Sequence, residues 1–376
     1  MVSGLPLLLT AFLTQVIVPL ARIATSYRGT QAGLSASEVL LLSSAFALLP
    51  AFLAVGMGRA NDRRGAGRSV VLGAALMVVA CALLALPGQW LVLLTSSVLL
   101  GLGQTFQITA MQAEIGAIRD VPHRERMIAR LMLWQAVGQV AAPLLLSLVA
   151  LWGESLQMGL ALAVIGLSAV GLAASMAVMR GAAKAAPPAL HVPLAHILSV
   201  RGLPWVIAGG SLCVAVQDLT MIYLPVVGEG RGIPPATIGL VLMLFALAQV
   251  ASRGVYAWAA RLAGPSWLLW CSVLGTGLAT AALALPFGAG GIGAMLIVSG
   301  LCLGFAITSS VSLTMRMAPC RARATSLGLR LAINRVGQFS IPLAAGAIAA
   351  AQAGAVFALL GLALAATGLA GFVRAR

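Results

Sequence analysis

Four charged side chains stand inside stretches of sequence that are otherwise strongly apolar: Arg22, Asp218, Arg330 and Arg335. A charge within hydrocarbon is costly, so it usually marks a substrate path, an ion pair or a proton relay. Arginine presents a planar fork of donors that matches a carboxylate or phosphate. Arg335 lies deepest; it can pair with Asp218, hold an anionic part of a substrate, or alternate between the two. Arg22 and Arg330 can act in the same way, or can extend their heads toward a membrane face. Asp218 is the one acid well inside an apolar stretch. Desolvation raises the pKa of a carboxylate and a neighbouring arginine lowers it, so a cavity alternating between these conditions would load and release a proton. The competing reading is a permanent ion pair with Arg22 or Arg335.

Uncharged amides fall on helical faces with these charges. Gln15 and Arg22 are seven residues apart; Arg330, Asn334 and Gln338 recur every four, as do Gln135 and Gln139, and Gln104, Gln107 and Met111 form another stripe. Each amide is either a substrate contact or polar glue between helices. Three arginines against one aspartate leave the set positive, which favours an organic anion or a zwitterion. The sequence shows no nucleophile with a base, no clustered metal ligands and no glycine-rich nucleotide loop, so neither an enzyme nor a cofactor or metal site is expected. The five cysteines have no paired spacing.

The elements that must carry these residues are membrane helices. Hydrophobic residues make up 61% of the 376 and charged ones 8%, with a mean hydropathy of +1.05. Apolar runs predict twelve spans, at 4–26, 36–57, 69–87, 90–113, 130–150, 155–178, 203–225, 236–257, 266–286, 290–315, 325–350 and 354–373. The first has no basic leader and reads as a retained helix. A net charge of +15 would suggest nucleic acid in a soluble chain, but here its distribution argues for topology. Assigned to alternate loops, eighteen of the 23 basic residues fall on one side, while only Arg28 and Arg231 fall on the other. That asymmetry places both termini in the cytoplasm. Scarce lysine beside abundant arginine, alanine and glycine suggests a GC-rich bacterial genome, and the membrane expected is then the bacterial inner membrane.

The chain repeats at an offset of 199 residues: Gly33 with Gly232, Phe46-Ala47 with Phe245-Ala246, Gly101-Leu102 with Gly300-Leu301, and Gly138-Gln139 with Gly337-Gln338. Two six-helix halves are expected, at 1–179 and 203–376, joined by a cytoplasmic linker at 180–202. Parallel repeats of this kind belong to transporters that rock two halves about a central site.

Between spans 2 and 3 the chain reads Gly58-x-x-x-Asp62-Arg63-x-Gly65-x-x-Arg68. In the setting of a 6+6 repeat this resembles the signature loop of the major facilitator superfamily. The resemblance implies that fold, an all-α membrane protein of twelve helices in two pseudo-symmetric halves, working as a monomer in the bilayer. It implies also that the loop locks the cytoplasmic ends together when the cavity faces outward. Asp62 would face the N-terminal dipole of the eleventh span or its basic approach, Arg321 and Arg323, and Glu114 would partner Arg63 or Arg68. In that family spans 1, 4, 5, 7, 10 and 11 line or approach the cavity, where Arg22, Asp218, Arg330 and Arg335 fall. The second copy of the loop is degenerate, with Ala257, Arg261 and Gly264 at the places of Gly58, Asp62 and Gly65. Gly138-x-x-x-Ala142-Pro143 departs from the Gly-Pro motif of drug/proton antiporters. The function expected is secondary transport of a small organic solute, coupled to protons, with efflux of drugs or amphipathic compounds as the alternative.

Overall fold

A computed structural model of the chain describes residues 4–33, 36–86, 89–118, 120–151, 156–181, 193–233, 235–349 and 353–375. Among them the regular structure is helical: α1 (Gly4–Gln31), α2 (Ala36–Arg64), α3 (Gly67–Leu83), α4 (Trp90–Gly116), α5 (Val121–Leu151), α6 (Leu156–Gly181), α7 (Leu194–Ser199), α8 (Leu203–Gly230), α9 (Pro235–Ala263), α10 (Pro265–Ala282), α11 (Ala289–Met317), α12 (Arg323–Ala349) and α13 (Ala353–Ala375). Twelve long helices answer to the twelve predicted spans, and the all-α reading stands. The short α7 has no counterpart among the spans and falls in the expected linker. Residues 182–192 of that linker, with Lys184 and His191, lie outside the described residues.

Several helices outrun their predicted spans. The segment expected as a loop at 58–68 is helical as far as Arg64, α5 begins at Val121 rather than near 130, and α9 continues to Ala263. Hydropathy marks the depth of the hydrocarbon, whereas arginine is a good helix former that carries the helix on into water. The turn after α2 is confined to Gly65 and Ala66. Gly65 has φ +80°, and its repeat equivalent Gly264 has φ +79° before Pro265 opens α10. A side chain would be strained in that conformation, so the degenerate second loop keeps the glycine its geometry needs.

The chain packs as two units, Met1–Val192 with Cys320–Arg335, and Pro193–Pro319 with Val336–Arg376. Helix α12 therefore contributes Arg323–Arg335 to the first unit. The core of the first unit joins Leu13, Ile17 and Leu20 of α1, Leu42 and Phe46 of α2, Met77 and Cys81 of α3, Leu93 and Leu100 of α4, and Val164 of α6. That of the second is built around Phe245, Trp270, Leu296, Leu303 and Phe357. Lipid is as apolar as these side chains, so close packing between helices has to hold them. Two close crossings reproduce the sequence repeat. A Cβ on Gly101 would collide with the Phe46 carbonyl, and one on Gly300 with the Phe245 carbonyl.

The two arginines on the sparsely charged side have a structural use. Arg28 donates to the Leu86 carbonyl and Arg231 to those of Leu283 and Ala284. These acceptors lie just beyond the ends of α3 and α10, where helix carbonyls have no internal partner and a cation complements the dipole.

Candidate functional site

Arg330, Asn334 and Arg335 lie on the part of α12 that belongs to the first unit. Arg335 is only 5% exposed. Its guanidinium donates to the Gln104 side-chain oxygen on α4 and lies over the Phe46 ring of α2, 4.8 Å from the centroid. A neutral amide orients this fork without cancelling its charge, and the face of an aromatic ring is a favourable seat for a cation. Arg22 of α1 is exposed, yet its guanidinium leans over the same ring, also at 4.8 Å. Phe46 itself is buried, and the Gly101 crossing fixes its backbone. Arg330 and Asn334 are buried five residues and one residue before Arg335, and among the described residues the Asn334 side-chain oxygen has no hydrogen-bond partner.

The remaining amides differ in use. Gln107 accepts from the Thr14 hydroxyl and donates to the Ser175 hydroxyl at 3.2 Å, tying α4 to α1 and α6. Gln15 and Gln135 are buried. Gln15 lies at the α1–α5 crossing, where a Cβ on Gly138 would come within 3.0 Å of its own Cβ. In the second unit, the half-buried Asp218 of α8 accepts from the Gln338 side-chain nitrogen at 2.6 Å.

The signature residues make a separate constellation. Asp62 accepts from the backbone N–H of Ala324 at 3.0 Å, and from the N–H and hydroxyl of Thr325 at 2.8 and 2.6 Å. These are orphan donors of the first turn of α12, so the carboxylate caps that helix across space and meets its dipole, the contact expected of Asp62. Burial raises the Asp62 pKa above its ordinary value, while the Thr325 hydroxyl and the two N–H groups pull the other way. Gly58 and Gly328 let the backbones approach. A Cβ on Gly58 would overlap the Ala324 carbonyl and lie 2.9 Å from the Thr325 Cα, and one on Gly328 would overlap the Ala54 carbonyl.

A second bond works in the reverse sense. Arg323 at the start of α12 donates to the Gly116 carbonyl, 2.8 Å away, at the end of α4. An acid of α2 thus caps the start of α12, and a base of α12 caps the end of α4.

Glu114 is buried and accepts from the Ala66 N–H, while Arg63 and Arg68 are exposed. The left-handed turn at Gly65 brings that backbone donor to the carboxylate. Arg253, within the predicted span 236–257, is 4% exposed in α9 and bonded to Gln249 one turn earlier, at 3.3 Å. Sequence reasoning also passed over Phe46, Thr325 and the reach of Arg323. Gln104 was recognisable from its stripe, but nothing in the stripe named its partner. Among the described residues no three His, Cys, Asp or Glu side chains cluster as a metal site would need.

The family model of the Major Facilitator Superfamily matches residues 3–234. No curated protein matches the sequence. Solved structures do resemble the fold. A bacterial homologue of the iron transporter ferroportin, in its outward-facing state, aligns with a TM-score of 0.82 at 16% identity, covering 99% of each chain. The human organic anion transporter MFSD10 (TETRAN) gives 0.78 at 16%, covering 99% of this chain and 97% of that one. The E. coli fucose:proton symporter FucP gives 0.78 at 15%, covering 98% of both. At such identities the likeness speaks to fold, and the family match covers well over half of the sequence. The chain is a multi-pass membrane protein belonging to the major facilitator superfamily.

Proposed function

We propose that the protein is a proton-coupled secondary transporter of small organic anions or zwitterions, working by alternating access in a bacterial inner membrane with both termini cytoplasmic. The observation that carries this reading is Arg335, a guanidinium 5% exposed and oriented by the uncharged Gln104 and Phe46. At an effective dielectric of about 20, an anion roughly 4 Å from such a charge gains about 4 kcal/mol. Arg330, Asn334, Gln15 and Gln135 complete a polar lining in this reading, with Gln107 holding α4 to its neighbours. Asp218 is the proton site, and exchange of its Gln338 donor for another partner during the cycle couples protonation to movement. The similarity to an organic anion transporter and a proton symporter agrees with this reading.

The signature residues do the gating. With Gly58, Gly65, Arg63, Arg68 and Glu114 shaping the end of α2, Asp62 holds the start of α12 in one state and releases it in the other. The whole chain serves as one transporter, with halves at 1–179 and 203–376.

The test is a thermal-shift screen of the purified protein against organic anions, zwitterions, sugars and lipophilic cations, repeated with Arg335→Gln. A ligand that binds the folded state raises its melting temperature by mass action. Carboxylates should stabilise the wild type and lose about 2–5 kcal/mol of binding in the variant. Equal stabilisation of both proteins by lipophilic cations would replace this reading with drug efflux.

A further inference from the structure

Phe46 brings together side chains from four helices. Its ring carries Arg22 of α1 and Arg335 of α12, each 4.8 Å from the centroid, so the two guanidinium carbons are no more than twice that distance apart. Gln104 of α4 fixes Arg335, and α4 also fixes the ring through Gly101.

The repeat supplies an internal control. The same crossing recurs at Phe245 and Gly300, where Phe245 is fully buried in an apolar core. At the offset of 199 residues, Met221 and Leu303 stand where the first half has Arg22 and Gln104, and Ala136 stands where the second half has Arg335. The crossing therefore packs well without any cation. The charges around Phe46 are additions that the fold does not require, and they are absent from its copy.

The two arginines also differ in access. Arg22 is exposed and Arg335 nearly buried. A single anionic group would engage one fork. A molecule with two carboxylates on a short apolar chain would engage both. We propose that Arg22 and Arg335, seated on Phe46, form a two-point receptor that selects short dicarboxylates over monocarboxylates. This rests on the anion reading above and adds to it the number and spacing of the charges.

The test uses the full-length protein in detergent, titrated by thermal shift with succinate, glutarate, monomethyl succinate and butyrate. Succinate or glutarate should bind the wild type at least about tenfold more tightly than the monoanions, the effect of a second charge contact. Arg22 is exposed, so Arg22→Gln should fold; it should bring the preference below about twofold while monocarboxylate binding persists. Arg22→Lys should restore part of the preference, because the charge returns without the planar fork. Equal affinity of the wild type for succinate and its monomethyl ester would overturn the two-point receptor and leave the anion reading intact. An unchanged preference in Arg22→Gln would also overturn it. Absence of stabilisation by any anion would instead overturn the anion reading itself, and this proposal with it.

Discussion

Replacing Asp62 with alanine tests the gating contact most directly. The carboxylate satisfies three donors at the start of α12: two backbone N–H groups at 3.0 and 2.8 Å and the Thr325 hydroxyl at 2.6 Å. Loss of a helix cap costs about 0.5–2 kcal/mol, and a buried donor left without a partner costs about 1–3 kcal/mol. Part of this is recovered when water reaches the freed N–H groups, so a net of about 1–3 kcal/mol is expected, or roughly 5- to 150-fold in the docking equilibrium. Arg323 remains bonded to Gly116, which keeps the undocked state from becoming wholly dominant. The assay is maleimide labelling of Ala332→Cys in a background with the native cysteines replaced. Ala332 is buried against Ala54 of α2 and should become accessible only when this part of α12 leaves α2. Labelling should accelerate by the same factor in Asp62→Ala. A rate equal to that of the parent would refute the argument, because the cap would then hold nothing.

The same probe gives a pH dependence whose sign follows from burial. The Asp62 pKa is raised when docked, so docking takes up protons; it should strengthen as pH falls through the raised value and weaken as pH rises through it. Once the fall in reactive thiolate is divided out with a free thiol standard, labelling should still slow on acidification in the parent and show no such residual response in Asp62→Ala. Gly58→Ala should displace α12 through a backbone collision that no side-chain movement relieves, costing about 1–3 kcal/mol and speeding labelling of Ala332→Cys. Asp218→Asn should abolish uptake driven by a proton gradient in proteoliposomes while leaving substrate exchange measurable; full pH-driven uptake by this variant would remove Asp218 from the coupling role.

How far the molecule could be read from its sequence depends on how local each signal is. Twelve helices were legible because hydrocarbon thickness imposes its length on each span, and the repeat because Phe46 and Phe245 recur with Gly101 and Gly300 at one offset. Helix ends were not, since hydropathy stops at the membrane surface while α2 runs on to Arg64. Asp62 could be aimed at a helix N-terminus, because a dipole belongs to every helix and a lone acid beside one has few other uses. The backbone donor to Glu114 was not legible, because charge counting points to Arg63 and Arg68 and only the path of the chain through Gly65 brings the Ala66 N–H to the carboxylate. Phe46 carried no polar signal at all. Its place beneath two guanidiniums follows from side-chain directions on α1, α2 and α12 together, and sequence spacing constrains only one helix at a time. The repeat could still have flagged it: wherever one copy of a crossing carries charge and the other does not, the charge was not needed to build the fold.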